Sequence, residues 1–379
     1  MKFIHLSDLH LGKRVNEFSM LEEQDYILGK IIEIIRDEWP DALLIAGDVY
    51  DKPVPPVEAV KLFDRFLCAL SGTGVKVLVI SGNHDSPERL SFASGLLGGS
   101  GVFISPAYGG EVSSVTFTDE WGKVNFYMLP FIKPAHVARW FPDEDIQSYT
   151  SAVRVALAHT PINFNGRNVL LTHQFVTGAE RSESEEISVG GADNVDGSVF
   201  EGFDYVALGH IHGPQSIGKP TVRYCGTPLK YSFSEASHKK SVTVVEMGQK
   251  GDVEVRTVPL TPRRDWVQLR GDFMRITSKQ TLEKLNPDDY YKITLTDEED
   301  VPEGVSKLRR YFPNLMAMEY DNSRTRAAAE VGEAGDVTNK TPIQLFSELY
   351  EKQNGKPMTD EMCKVVGDMI EKIWQGENS

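Results

Sequence analysis

Short apolar runs that end in small and polar residues, often followed by a stretch of helical periodicity, dominate the first half of the chain. The runs are Phe3 to Leu6, Ala42 to Ala46, Val75 to Ile80, Val169 to Leu171 and Tyr205 to Leu208. Runs of this length predict strands, and the periodic stretches between them predict helices. Glu22 to Arg36 places Leu28, Ile31, Ile32 and Ile35 at helical spacing, and Val57 to Leu70 turns Val60, Phe63, Phe66 and Leu67 toward a sheet. Burial alone explains these apolar positions.

After Tyr205 the pattern changes. Ser241 to Glu246 and Val253 to Val258 alternate as an antiparallel strand pair would, so the sheet layers are expected to close there. From Pro262 a new unit begins, with strands at Trp266 to Leu269, Tyr290 to Leu295 and Leu315 to Tyr320 and helices at Ser278 to Leu285 and Val305 to Phe312. This order predicts a small α+β domain. Arg324 to Lys340 is poor in large apolar residues and predicts a flexible linker. Thr341 as N-cap, Pro342 and Gln344 then open a helix whose apolar face is Ile343, Leu345, Phe346, Leu349 and Tyr350. Past Gly355 and Pro357, Met362, Val365, Val366, Met369, Ile370 and Ile373 repeat at helical spacing. Two amphipathic helices beyond a linker need a cover, either this chain folded back or another chain. The expected boundaries are 1–260, 261–322, 323–340 and 341–379.

With 379 residues, 40% of them hydrophobic, the chain exceeds one ordinary domain and can bury a real core. The first ten residues, MKFIHLSDLH, lack the apolar region of a signal peptide, and no stretch is long enough to span a bilayer. Cys68, Cys225 and Cys363 lie far apart without CxxC spacing, which fits structural thiols in a reducing cytoplasm. The net charge of −15 does not suggest a protein that grips phosphate backbones alone. Metal-binding carboxylates add to that acidic count, and a partner subunit could supply basic surface.

Each strand run ends in potential ligands: Asp8 and His10 in SDLH, Asp48 in GDVYD, Asn83 and His84 in GNHD, His173 in THQ, and His210 and His212 in GHIH. In open α/β architectures sites lie beyond the carboxyl ends of the strands, so these residues are expected to converge at one edge. Of nine histidines, five occupy such strand ends; His5, His136, His159 and His238 have no motif and are assigned to structure. Each motif alone has a bland reading as a cap or turn. Together they would require a separate structural reason apiece. Imidazole, carboxylate and amide oxygen are ligands that Mn, Fe or Zn accept. The spacing of Asp8 and His10, like that of His210 and His212, puts both side chains on one strand face or around a tight turn. Gly47 and Gly82 are expected to let the backbone turn and a substrate approach. A pair of ions needs a bridging carboxylate, and Asp48 is the natural candidate. Asp8, His10 and His212 would complete one ion and Asn83, His173 and His210 the other. His84 is then free to act on the phosphate, stabilising charge or donating a proton to the leaving oxygen.

The ordered set DxH, GDxxD, GNHD, TH and GHxH resembles the calcineurin-like metallophosphoesterase superfamily over roughly residues 1 to 260. HLSDLHLGK, SVGGADNVDGSVFEGFDYVALGHIHGPQ and GTPLKYSFSE are similar to the bacterial SbcD nuclease-subunit family. This resemblance implies a four-layer α/β/β/α sandwich, a pair of Mn ions, and a capping domain, at residues 262 to 321, that shapes the DNA path. It also implies exonuclease action on duplex ends from the 3′ side, endonuclease action on single strands or hairpins, and a homodimer. The partner would be an SbcC-like coiled-coil ATPase bound by the helices from Pro342 to Trp374. Archaeal relatives place a His three positions after the bridging Asp, where Asp51 stands here, so only His84 takes over a catalytic role. Two other readings stand beside this one: a stand-alone phosphoesterase acting on small molecules or phosphoproteins, and a scaffold that has lost catalysis.

Overall fold

The computed structural model describes residues 1–185, 193–326, 342–354, 357–359, 362–367 and 369. Most of the expected linker, the Thr341 cap, Gly355, Ile370 and Ile373 lie outside the described residues. The chain divides into two units, Met1–Trp266 and Val267–Ser379.

In the first unit the apolar runs become β1 (Lys2–Leu6), β2 (Ala42–Ala46) and β3 (Lys76–Ile80), joined by helices α1 (Leu21–Glu38) and α2 (Val57–Ser71). These strands pair in parallel, and β4 (Val102–Ile104) extends them. A second sheet is built from β5 (Ser113–Asp119), β6 (Gly122–Leu129), β7 (Arg167–His173) and β8 (Tyr205–Gly209) with β9 (Gln215–Ser216) and β10 (Val222–Tyr224). Its order is β9-β10-β8-β7-β6-β5, with β6, β7, β8 and β10 mutually parallel where they adjoin. The two alternating segments form the antiparallel pair β11 (Ser241–Met247) and β12 (Val253–Pro259), which completes the first sheet through β1.

The sheets pack face to face. Phe3, Ala42, Leu44 and Leu78 of the first sheet share one buried cluster with Val124, Phe126, Val169, Leu171, Tyr205 and Ala207 of the second. Side chains of the opposite parity in the second sheet, such as Leu170, Val206 and Leu208, join a second cluster with Ala152, Val153 and Ala156 of α3 (Tyr149–Ala158). Helices α1 and α2 turn Ile27, Ile31 and Ile35, and Leu62, Phe63 and Phe66, inward. The stripe of α2 differs from expectation at Val60, which is exposed. Ala59 and Leu62 take the inward places instead, so the face is rotated from the one the sequence pattern favours.

In the second unit, β13 (Trp266–Gly271, its first residue the last of the first unit), β14 (Tyr290–Leu295) and β15 (Leu315–Tyr320) form a three-stranded sheet over a core of Ile276, Tyr291, Ile293, Leu295, Leu308, Phe312 and Leu315. Its helices are shorter than expected, single turns at Lys279–Leu282 and Gly304–Leu308. Pro313 disfavours helical geometry at Phe312, and Pro287 does the same at Asn286, so neither helix can run on to the next strand. Helix α4 (Pro342–Asn354) follows. Among the described residues no helix is long and apolar enough to cross a membrane. The three cysteines are free, with Cys225 buried and Cys68 exposed.

Candidate metal centre

The parallel strands β1, β2 and β3, and β7 and β8 of the facing sheet, deliver their carboxyl ends to one place. There the chain turns sharply through left-handed backbone: φ is 54° at Asp8, 45° at His10, 48° at Asp48 and 99° at His210. Asp and His tolerate this region better than most side chains, but each instance costs on the order of 1–3 kcal/mol unless its surroundings fix it. Hydrogen bonds do so. The Asp8 amide donates to Gly47 O at 3.0 Å, the His10 amide to Asp48 O at 2.9 Å, and the His210 amide to Asp8 Oδ1 at 3.0 Å. Of the two readings of the DxH spacing, the tight turn is the one observed, and the same holds for His210 and His212 past the end of β8. Gly47, at φ 90°, does turn the backbone, yet a Cβ there would strike the His173 ring, and one on Gly82 would strike the Asp48 carboxylate. These glycines make room for the site's own side chains; the space expected for a substrate is already filled.

Tautomers follow from the partners. A carbonyl only accepts, so His173 Nδ1–H donates to Ala46 O at 2.8 Å, and Nε2 faces Asn83 Oδ1 at 3.0 Å and Asp48 Oδ2 at 3.3 Å. Asn83 Oδ1 also lies 2.9 Å from His210 Nδ1. On the other side His10 Nε2 and His212 Nε2 are 3.1 Å apart, and His10 Nε2 is 3.7 Å from Asp48 Oδ2. His84 Nδ1–H donates to Asp51 O at 3.1 Å, and its Nε2 stands 3.9 Å from Asp48 Oδ2. The Asp48 carboxylate thus sits between the two groups. The triads Asp8–His10–His212, His10–Asp48–His84 and Asp8–Asp48–His173 each offer converging ligand atoms. All eight residues singled out in the sequence are brought together, with Asn83 and His84 the more open members.

The donor set fits divalent cations. Burial pushes the Asp8 carboxyl up to about 7 against the pull of His173. Burial also opposes ionisation of Asp48, but His173, His10 and His84 hold it well below the usual carboxylate range. Burial drives the imidazoles of His10, His210 (to about 3) and His212 toward the neutral form that ligates metals. His173 alone goes up, to about 9: burial disfavours its charge, but Asp48 and Asp8 outweigh that. Its Nε2 faces oxygens that can only repel a lone pair, so that contact calls for positive charge. His10 Nδ1 and His210 Nε2, the ring nitrogens that do not make the contacts above, are buried without a hydrogen-bond partner.

Several further residues shape the site. The last residue of GNHD, Asp85, is buried and accepts the amides of Gly82, Val49 and Tyr50 at 2.9, 3.1 and 2.9 Å, tying the turn after β3 to the turn after β2. Its place directly after the candidate ligands is the sequence signal that could have found it. Lys13 pairs with Asp51 at 2.8 Å, which keeps that carboxylate 3.6 Å from His10 Nδ1. Glu235, Lys240 and Ser184 surround His212, and no spacing rule connects them to it.

Sequence comparison accords with this geometry. The profile of the calcineurin-like phosphoesterase family matches residues 1–214. The chain belongs to that family. Residues 262–354 match the profile described as the type 5 capsule protein repressor C-terminal domain. A curated relative, the SbcD component of the nuclease SbcCD of Staphylococcus epidermidis, is 32% identical over 98% of this chain and 98% of its own. The chain is therefore also a member of the SbcD family. Members of the phosphoesterase family use divalent metals. Among solved structures, a dimetal phosphatase from Danio rerio aligns over 69% of this chain and 98% of its own at 11% identity, with a TM-score of 0.41, too low to carry an argument.

Proposed function

We propose that this chain is the metal-dependent nuclease component of an SbcCD-type complex and hydrolyses DNA phosphodiesters at the strand-end centre. The observation that carries this reading is the 32% identity to the SbcD component of a nuclease SbcCD across 98% of both chains, which spans the second unit as well as the phosphoesterase core. The cofactor is a pair of divalent ions, Mn2+ in preference to Zn2+ or Fe2+. The mix of carboxylate, imidazole and amide oxygen, free of thiolate, suits such divalent ions in general, and the resemblance to the SbcD family implies Mn2+ among them. Asp8, His10 and His212 would hold one ion and Asn83, His173 and His210 the other, with Asp48 shared between them.

When bound, such ions supply Lewis acidity at the phosphorus and bring the pKa of a water toward neutrality. The protein's own contribution is orientation. Ala46 O fixes the His173 ring, Asp85 locks the turns that carry Asp48 and Asn83, and Asp51 O fixes His84 with Nε2 toward the centre. From there a proton on His84 Nε2 stabilises charge on the phosphate or passes to the leaving oxygen. The finer assignments are exonuclease action on duplex ends, endonuclease action on hairpins, a homodimer, and an SbcC-like coiled-coil ATPase forming a heterotetramer in the cytoplasm. In this reading residues 261–322 shape the DNA path and the helices from Pro342 onward bind the ATPase. Exposed Phe346 and Leu349 support the last role.

The test is incubation of the purified chain and Mn2+ with labelled hairpin and duplex DNA, with and without the ATPase. Mn2+-dependent DNA cleavage that is lost in His84→Ala while metal content persists is the expected result. Cleavage of small phosphodiesters but never of DNA would contradict it.

A further inference from the structure

We propose that Glu235 is a positioning residue that acts through the Ser184 hydroxyl to hold the His212 ring with Nδ1 protonated and Nε2 turned toward His10. The inference rests on the reading of His212 as a metal ligand.

The geometry leaves one consistent set of hydrogen positions. Ser184 Oγ lies 2.5 Å from Glu235 Oε1 and 2.6 Å from His212 Nδ1. A hydroxyl has one proton to give. Glu235 is fully buried and meets donors: Lys240 Nζ at 2.5 Å on Oε2, and the Tyr231 amide and Ser232 hydroxyl at 3.3 Å on Oε1. An acid so surrounded is ionised and accepts, so the Ser184 proton points to Glu235. The Ser184 oxygen then accepts from His212 Nδ1–H, and the Nε2 lone pair is left for the centre. A carboxylate behind a ligating histidine fixes ring and tautomer and raises ligand basicity; here a hydroxyl extends its reach, since Glu235 Oε1 is 3.7 Å from Nδ1.

The backbone of His212 is gripped by the same network. Lys240 Nζ uses its three hydrogens on Glu235, on Thr227 Oγ1 at 2.6 Å and on the His212 carbonyl at 2.9 Å. The His212 amide donates to Glu185 Oε1 at 2.6 Å. This gives a physical role to the GTPLKYSFSE segment, Gly226 to Glu235: it carries Thr227 and Glu235 beneath the last histidine of the centre.

Ser184 is only partly buried, so Ser184→Ala removes the relay without opening a core charge. The full-length chain, labelled with 15N-histidine and stripped of metal, is studied by long-range proton–nitrogen correlation, with the His212 signals assigned from His212→Asn. Wild type is expected to show the Nδ1–H tautomer at His212. In Ser184→Ala that preference is lost, and Mn2+ titration shows one of two binding steps weakened about 10- to 100-fold. Ser184→Thr restores both. Glu235→Gln shifts the tautomer in the same direction if it folds. An Nε2–H tautomer in wild type, or a Ser184→Ala variant with unchanged tautomer and unchanged Mn2+ titration, overturns the proposal. The tautomer is read without DNA or metal, so absence of nuclease activity would count against the functional reading alone.

Discussion

At the strand ends of the first unit, charged and polar side chains are almost entirely enclosed: Asp8 is 0% exposed, His173 0%, His10 1% and Asp48 2%. Helix α4 of the second unit does the reverse, leaving Phe346 44% and Leu349 40% exposed. Burying ionisable groups is costly unless they are paired or hold a metal, and a run of exposed apolar residues marks an interaction surface. The two regions therefore depart from the usual inside-outside rule in opposite senses. The first calls for cations, the second for an apolar cover. Substitutions at the first should change chemistry more than stability, and substitutions at the second should change neither within the isolated chain.

The largest effect is expected at Asp48, the proposed shared ligand. Asp48→Asn should lower DNA cleavage by about a thousandfold, roughly 4 kcal/mol of barrier, with an unchanged circular dichroism spectrum. An unfolded variant would mean that the carboxylate is structural. Next, Phe126→Ala, which empties a fully buried position edge-on to Phe3 between the sheets, should cost about 3–5 kcal/mol in urea unfolding. Asp85→Ala leaves three amides without their acceptor, and a loss of about 1–3 kcal/mol is expected, together with weaker metal binding. Phe346→Ala should stay within about 0.5 kcal/mol in the same unfolding measurement and yet abolish capture of the coiled-coil ATPase. A loss above that for Phe346→Ala would show that the helix is covered by its own chain.

The smallest effect concerns an ion pair away from both regions. Asp119 receives both Arg167 terminal nitrogens, at 2.5 and 3.0 Å, and the N-terminal ammonium at 2.8 Å. Arg167 holds its carboxyl below the usual carboxylate range against the opposing effect of burial. A depressed folded-state pKa contributes stability that is complete above the unfolded value, about 3.9, and lost as pH falls through the folded value. Unfolding free energy should thus decline on acidification below about pH 4, and Asp119→Asn should flatten that decline.

The strands and the ligand-bearing motifs are legible in sequence because each is local. Continuous apolar runs fix β1, β2, β3, β7 and β8, and the Asp, Asn and His residues follow within a few positions of their ends. The hairpin of β5 and β6 escapes that reading, although SSVTFTD alternates and DEWG supplies a turn. Its first strand is only half-buried, which weakens the apolar signal. The rotated face of α2 is ambiguous in sequence because Val60 and Ala59 suit helical spacing almost equally, and packing chooses between them. Ser184, Glu235 and Lys240 lie beyond reach for a different reason: they meet His212 across 28, 23 and 28 residues of chain, and hydrogen-bond networks of that kind have no period.

The central claim is that the strand ends of two facing sheets together hold a pair of divalent ions bridged by Asp48. Its most direct test is the metal content of the full-length chain after stripping and reconstitution with Mn2+, measured by elemental analysis alongside Asp48→Asn and His173→Ala. Two ions per chain in the wild type, with fewer in both variants, is the expected result. A wild-type chain that retains no metal, or variants that retain as much as wild type, would contradict the account.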